Sequence, residues 1–559
     1  MKRTFEEHKV RPVHNLDGLW AFHTVDDAGG EGRQMHLMVP GSWESHPDLC
    51  AYRGRGVYRR EIELSAGANL LLHFEGVSHT AEVLFDGERV ARHYGAYTAF
   101  SAVCSGVEAG VHTIEVRADN RFTRESALHI PNDYYTYGGL TRPVTAEEVA
   151  DVYIRTLRCH TFREGGVWRA HIELALHNLS VHAREVQCEV TLAGARARIG
   201  ARVEAGRESV CELDLKTPAA RPWSPDDPAL FFLTARLFEG GEAIDDMIDR
   251  VGFRELTVDG EKILLNGEAV YLKGFNRHED HPSLGASLSV QEMNRDLDLI
   301  LWTGSNTVRT CHYPNDRRFL DLCDEKGLFV WEEVHARGLT EEMMRHANFL
   351  PQSLLCADEM VGAHYNHPCI ILWGLLNECS SDTPYGRSCY EAIIARLRAL
   401  DGTRLITFAS DRHYKDICLD LCDVVSMNIY PEWYYDIAPG DMADELKAWI
   451  ETTSGRGKPL IMSEFGAGGI YGYRSPAREK WSEERQCDIL SHCIGQMGSR
   501  AYISGLLIWQ FCDCRVTEEV WAMRRPKTQN NKGVFDIYRR PKMAAEVVRA
   551  LFAKVGEKK

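Results

Sequence analysis

From residue 253 onward the sequence alternates short apolar runs with longer amphipathic ones, and it does so eight times. The runs are "AVYLKGFNRHED", "NTVRTCHYP", "LFVWEEV", "CIILWGLLNE", "RLITFAS", "CDVVSMNIYPEW", "KPLIMSEFG" and "ISGLLIWQFCD". Continuous apolar stretches of this length, bounded by Gly, Asp or Pro, suit strands that are covered on both faces. Between them lie helical patterns. "SLSVQEMNRDLDLILWTGS" puts Met293, Leu297, Ile300 and Leu301 at helical spacing, and "DRRFLDLCDEKG" and "YEAIIARLRALDG" behave alike. In the last of them, "KMAAEVVRALFAKV", Met543, Val547, Ala550 and Leu551 fall on one face. Parallel strands that alternate with helices over about 300 residues predict a (β/α)8 TIM barrel across residues 253–559.

The residues before 253 follow a different rhythm. Over 1–150, "VYRREIEL", "NLLLHFEG", "TAEVLFDGERVARH" and "VHTIEVRADN" alternate apolar and polar positions, as half-buried strands do. Asp86 and Gly87 are a pair suited to the positive φ of a tight hairpin. The pattern continues over 151–252 in "DVYIRTLRCHTF", "WRAHIELALHN", "EVQCEVTLAG" and "SVCELDL", which predicts a second, separate β-sandwich.

Composition narrows the partners. Lys and Arg number 65 against 81 Asp and Glu, a net charge of −16, which disfavours nucleic acid and anionic membrane. No apolar stretch approaches the ~18 residues of a membrane span, and "MKRTFEEHKVRPVHNLDGLW" has no apolar core of a secretory signal. The 17 cysteines sit in apolar runs, as buried free thiols of a reducing cytoplasm would.

In a barrel of this kind the chemistry is carried by the C-terminal ends of the strands. Those ends hold Asn276, His278 and Glu279; His312; Glu332 and Glu333; Asn377 and Glu378; Asn428 and Tyr430; Glu464; Trp509 and Asp513. Glu378 and Glu464 each follow an apolar run, and partial burial raises a carboxyl pKa. Two carboxyls with pKa values pushed apart are what glycosidic cleavage requires. Within "HEDH", His278 to His281, successive side chains alternate in direction and so do not converge on one metal.

The motifs "NLDGLW", "VPGSW", "GVYRR", "KGFNRHEDH", "RTCHYP", "WGLLNE" and "SEFG" together resemble glycoside hydrolase family 2, and within it the β-glucuronidases. The resemblance covers nearly the whole chain. It implies a jelly-roll-like, sugar-binding β-sandwich over 1–150, an immunoglobulin-like β-sandwich over 151–252, and a catalytic barrel. It implies Glu378 as general acid and base, Glu464 as nucleophile, and Asn377 at the sugar 2-hydroxyl. Asn428, Tyr430 and Trp433 match sugar-pocket positions, and His278, His312 and Trp509 join them at the strand ends. "NNKGVF" resembles the Asn-x-Lys motif of uronate-specific members, with Asn530 and Lys532 in place to hold a sugar carboxylate. Asp133 in "PNDYYTYGG" matches an aspartate that an amino-terminal loop sends into the site, and either Arg524 or Arg525 matches a further arginine. Two departures stand out. The segment "VHARGLTEEMMRHANFLPQSLLCAD" is shorter than in members with a long lid, so an open mouth is expected. It also carries Arg337, a second cation that could meet the carboxylate or an axial 4-hydroxyl.

The resulting expectation is an exo-acting, retaining β-hexuronidase for β-D-glucuronides, without metal or cofactor, working as a homo-oligomer (dimer or tetramer). β-Galacturonides, alone or beside glucuronides, are the alternative. A β-galactosidase and a non-catalytic carbohydrate-binding protein are the further readings.

Overall fold

The computed structural model describes residues 2–26, 28–518 and 524–556. Its first part pairs two antiparallel sheets. One has four strands, in the order Val13–Asn15, Val144–Val149, Ala68–Phe74 and Phe100–Val107. The other has six: Glu31–Val39, Gly18–Val25, Arg55–Leu64, Gly110–Asp119, Thr80–Phe85 and Glu88–Tyr94. Alternate residues turn inward, so Trp20, Phe22, Tyr58, Leu72, Phe74 and Val116 share one core. Asp86 and Gly87 take positive φ, 49° and 84°, and close the hairpin in which Phe85 faces Glu88, as their pairing in the sequence suggests.

Two further antiparallel sheets follow. Three strands (Val152–Glu164, Val167–Asn178, Glu208–Lys216) and four (Ala195–Val203, Arg184–Leu192, Phe231–Glu239, Glu242–Val251) enclose Trp168, Leu174, Leu176, Val190, Leu233 and Phe253.

The barrel strands are β1 (Leu272–Asn276), β2 (Thr307–Thr310), β3 (Phe329–Glu333), β4 (Ile370–Gly374), β5 in two pieces (Leu405–Thr407 and Ala409–Ser410), β6 (Val425–Asn428), β7 (Leu460–Phe465) and β8 (Ile503–Ile508). All pair in parallel, and β1 bonds both β2 and β8. The first piece of β5 bonds β4 and the second bonds β6, so the ring closes through the break at Phe408. Every residue of β2, β3, β4, β6 and β7 is buried, which explains runs without polar alternation.

The helices that cover this ring include α1 (Val290–Trp302), α2 (Arg317–Lys326), α3 (Phe349–His364), α4 (Pro384–Leu400), α5 (Pro439–Ile450), α6 (Glu483–Met497) and α7 (Met543–Phe552). Ser289, Asp316, Thr383 and Ser482 cap their helices by accepting backbone N–H groups. In α1, Met293, Leu297 and Ile300 are buried, whereas Leu301, expected on the same face, is exposed, because it lies one position and so about 100° past Ile300.

The face expected for the last helix is corrected by the structure. α7 buries Ala544, Ala545, Val548 and Phe552, and leaves Met543 and Ala550 exposed. The reason is an anchor just before it. Buried Lys542 donates to Gly469 O, Asp513 and Asn531 O, and the Met543 N–H donates to Glu483 at 2.6 Å. These contacts set the helix rotation, and small alanines then sit closest to the barrel while Phe552 reaches Phe275.

The first sandwich is fastened to the barrel mouth. Arg142 donates to Glu279 at 2.8 Å and to Pro314 O, and the Tyr137 hydroxyl donates to Asp280. Thus Glu279 and Asp280 serve the domain contact, while His278 meets Tyr313 instead. "HEDH" spreads its side chains in different directions.

Candidate active site

Beyond the end of β4 the chain makes two left-handed steps, at Leu376 (φ 48°) and Glu378 (φ 53°). Such steps cost a non-glycine residue of order 1 kcal/mol or more, so something must hold them. The Glu378 N–H donates to Ala409 O on β5, and Asn377 bridges to Arg337 beyond β3. The outcome is that Asn377 and Glu378 both face the barrel axis. Glu464, in contrast, lies within β7 itself and is 3% exposed.

Arg309, on β2, ties these ends together. Its guanidinium donates twice to Glu333, at 2.9 and 3.0 Å, and once each to Asn276, Glu464 and Asn377, at 2.9, 2.9 and 2.8 Å. The other Glu464 oxygen accepts from the Tyr430 hydroxyl at 2.8 Å. Asn428 donates to Glu378 at 3.0 Å and is itself fixed by Ser463. Burial pushes the Glu464 carboxyl up to about 8, and the neighbouring Glu378 charge adds to this, against Arg309, Tyr430 and Arg337.

A second cluster lies alongside. Asp133 arrives from the first sandwich and accepts from Arg525 at 2.8 Å and from Asn530 at 3.1 Å. Arg337 approaches it at 3.5 Å, and with the same nitrogen approaches Glu378 at 3.3 Å. Although burial opposes ionisation, Arg337, Arg525 and Lys532 hold the Asp133 carboxyl well below its usual range. Lys532 is 3% exposed; its ammonium donates to the Tyr434 hydroxyl at 2.7 Å and lies over the rings of Tyr430 and Tyr434. Burial and then Arg525 lower its pKa, while Tyr434 and Asp133 oppose the shift. Arg524, by contrast, is exposed, so Arg525 is the arginine that reaches the cluster.

His312 stacks on Trp509 with ring centres 5.1 Å apart, and His278 meets the same indole edge-on. Burial lowers the pKa of both imidazoles well below the ordinary value. Trp433 lies behind Tyr434 and packs edge-on against Trp481. Among the buried atoms around this mouth without a hydrogen-bond partner are Asn377 Nδ2, His278 Nε2, Asp133 Oδ1 and Arg337 Nε. Unsatisfied groups of this kind are costly unless a ligand completes them.

Of the candidates taken from the strand ends, Asn276, His278, His312, Glu333, Asn377, Glu378, Asn428, Tyr430, Glu464 and Trp509 meet at the mouth beside the Asp133–Lys532 cluster, with Trp433 in a supporting position; Glu279 and Asp513 serve the contacts described above, and Glu332 turns to His364 and the Asn315 N–H. Three contributors were missed. Arg309 was detectable as a lone charge inside the apolar run "NTVRTC"; Tyr434 and Asn132, which accepts from Arg337 at 3.0 Å, carried no comparable signal. Among the described residues two trios have donor atoms close enough to share an ion, His278–Cys311–His312 and Asp324–His367–Cys369. Burial pushes both thiols far up, which disfavours the thiolate a metal needs, and Asp324 already accepts from His367 and from the Cys369 N–H.

Comparison with known proteins adds the following. Residues 256–556 match the model described as glycosyl hydrolases family 2, TIM barrel domain, and residues 152–254 match that of glycosyl hydrolases family 2. The β-glucuronidase of Rattus norvegicus is 26% identical over 99% of this chain and 92% of its own length. A β-galacturonidase from Eisenbergiella tayi, solved bound to galacturonate, is 47% identical, covers both chains fully and superposes with a TM-score of 0.96. The β-D-glucuronidase of Dictyoglomus thermophilum is 26% identical over 98% of each chain, with a TM-score of 0.85.

Proposed function

Since the chain belongs to glycosyl hydrolases family 2 and is a glycoside hydrolase of the β-glucuronidase and β-galacturonidase kind, we propose that it is an exo-acting, retaining β-hexuronidase whose preferred substrates are β-galacturonides. The observation that carries the uronate assignment is a charge imbalance. Arg525 and Lys532 share one carboxylate, Asp133, to which Arg337 also reaches while lying closer to Glu378, and Lys532 has a phenol as its hydrogen-bond partner. A sugar carboxylate supplies the missing anion through charge-assisted hydrogen bonds. A neutral sugar leaves the ammonium buried without one.

In this reading Lys532, Asn530 and Arg525 hold the C6 carboxylate, and Asn377 Nδ2 takes the 2-hydroxyl. Glu378, protonated, assists departure of the aglycone as Glu464 attacks the anomeric carbon to form a glycosyl ester. Ionised Glu378 then draws a proton from water, which opens the ester with net retention. Glu464, raised to about 8 in the free site, must give up its proton for the attack; Arg309 and Tyr430 each point a donor at it and favour the carboxylate, with Glu378 as the neighbour that holds the proton.

Galacturonides rank ahead of glucuronides for two reasons. Arg337 brings a third cation beside Asp133, where an axial 4-hydroxyl can be met. The 47% identical relative was solved with galacturonate bound. Glucuronides are the second reading, favoured by curated relatives that are β-glucuronidases at 26–28% identity. One side-by-side assay decides: aryl β-galacturonide, β-glucuronide and β-galactoside under identical conditions. A higher kcat/KM for the galactoside than for either uronide overturns the uronate assignment. We further propose a reducing compartment, because all 17 cysteines are free and 15 of them buried. No described helix is long and apolar enough to cross a membrane.

A further inference from the structure

Beyond the sugar pocket, the β5–β6 side of the mouth holds groups that the reaction just described does not use. Asp411 follows β5 directly, and its Oδ1 is buried and accepts no hydrogen bond, although Arg412 Nε lies 3.5 Å away. Arg412 also reaches Asp382 at 3.7 Å and donates to the Glu378 carbonyl at 3.2 Å. His413 donates through Nε2 to the Asn428 carbonyl at 2.7 Å, which leaves Nδ1 as an acceptor. Its ring lies 6.2 Å from that of Tyr435, which is 48% exposed. Asn428 in turn donates to Glu378. Contacts thus run from Glu378, the acid assigned to the departing oxygen, through Asn428 and His413 to the exposed ring of Tyr435.

From this arrangement we infer that Tyr435, His413 and Asp411 form a leaving-group subsite for an uncharged, polyhydroxylated ring, that is, a neutral sugar. The inference rests on the uronide-cleaving reading above. An exposed aromatic face stacks on a flat apolar ring face. The Asp411 carboxylate, whose side chain is 37% exposed, and His413 Nδ1 are acceptors that call for hydroxyl donors, which distinguishes a sugar from a plain aryl group. Charge excludes the acidic alternative. Burial, and then the Glu378 charge, raise the Asp411 carboxyl to about 6, so it is ionised at neutral pH. Glu378 is protonated when it acts and Arg337 stands 3.3 Å from it, so the excess is local: Asp411 and Asp382 share the one Arg412, and a second carboxylate placed beside them is repelled.

The experiment uses the full chain and three substrates: methyl β-galacturonide, a β-galacturonosyl disaccharide ending in a neutral hexose, and one ending in galacturonate. Tyr435→Ala should raise KM for the neutral disaccharide about tenfold and that for the methyl glycoside less than twofold, while Tyr435→Phe behaves as wild type. Equal changes on both substrates, or a tenfold loss with Phe, overturn the stacking role. Asp411→Asn should raise the ratio of kcat/KM for the dianionic over the neutral disaccharide about tenfold, a ratio that cancels any effect on Glu378 itself. An unchanged ratio overturns the charge argument. Failure of the wild type on every uronide, including the methyl glycoside, would count against the reaction and not against the subsite. A preference for aryl over glycosyl aglycones that Tyr435→Ala abolishes would reassign the shelf to aromatic leaving groups.

Discussion

Replacing Lys532 by Ala separates a uronate-binding pocket from an ordinary loop. In the free protein Lys532 is 3% exposed and its ammonium donates to the Tyr434 hydroxyl. Substrate carboxylate would turn that into a buried ion pair, and truncating one partner of such a pair costs about 3–5 kcal/mol. Arg525 and Arg337 remain close enough to share the load, so the lower half of the range applies, about 3–4 kcal/mol. That corresponds to a loss of about 10²- to 10³-fold in kcat/KM on aryl uronides. Aryl galactosides, which have no carboxylate, should change by less than about threefold, or improve as a lone buried ammonium disappears. Thermal unfolding completes the test. Removing a desolvated ammonium that lacks an anionic partner should leave Tm unchanged or higher, whereas removing a scaffold lysine should lower it. Equal losses on acidic and neutral substrates together with a lowered Tm would refute the reasoning.

Glu464→Ala should lower turnover at least ~10³-fold, and added azide should restore it with formation of a glycosyl azide of inverted configuration; near-normal turnover would remove the nucleophile assignment. Glu378→Gln should harm substrates with basic leaving groups far more than activated aryl ones, a contrast that a leaving-group series reads directly. The same variant should move the acid limb of kcat/KM for an activated aryl uronide to lower pH. Glu464 must be ionised to attack, the Glu378 charge is one of the causes that raise its carboxyl, and removing that charge lets it ionise at lower pH. A limb that stays in place contradicts the coupling. Arg337→Ala should reduce kcat/KM on galacturonides by about 10- to 100-fold and leave glucuronides within about threefold; parallel losses would make Arg337 a general support for Asp133 and Glu378.

The barrel was legible because its strands are buried on both faces, which imposes long apolar runs that a sequence shows plainly. The same burial hides which residue of a run points to the axis. Arg309 sits three positions before His312 in "RTCHYP", yet the motif drew notice to its histidine, since contacts with Asn276, Glu333, Asn377 and Glu464 arise from four other strands or strand ends. The choice between Arg524 and Arg525 had the same origin: adjacent residues of a loop, one exposed and one turned onto Asp133. For α7 the apolar residues ran around more than one face, and Lys542 decided the rotation through partners 11 to 73 residues away in sequence. Glu378 and Glu464 were legible for a simpler reason. Each is a carboxylate closing an apolar run, although Glu333 and Asp513 do so too and are held by Arg309 and Lys542.

Asp133 and Lys532 belong to one pocket but lie 399 positions apart, counted as 532 − 133. Translation therefore delivers Asp133 and the cations it organises at very different times. The sandwich that carries Asp133 is made first, and on the proposed reading a nascent chain that already contains Glu378 and Glu464 has no complete grip on a uronide until residues 530–532 emerge. Partial products of synthesis or proteolysis that stop before Asn530 should thus be inert towards acidic glycosides even when their barrel has closed.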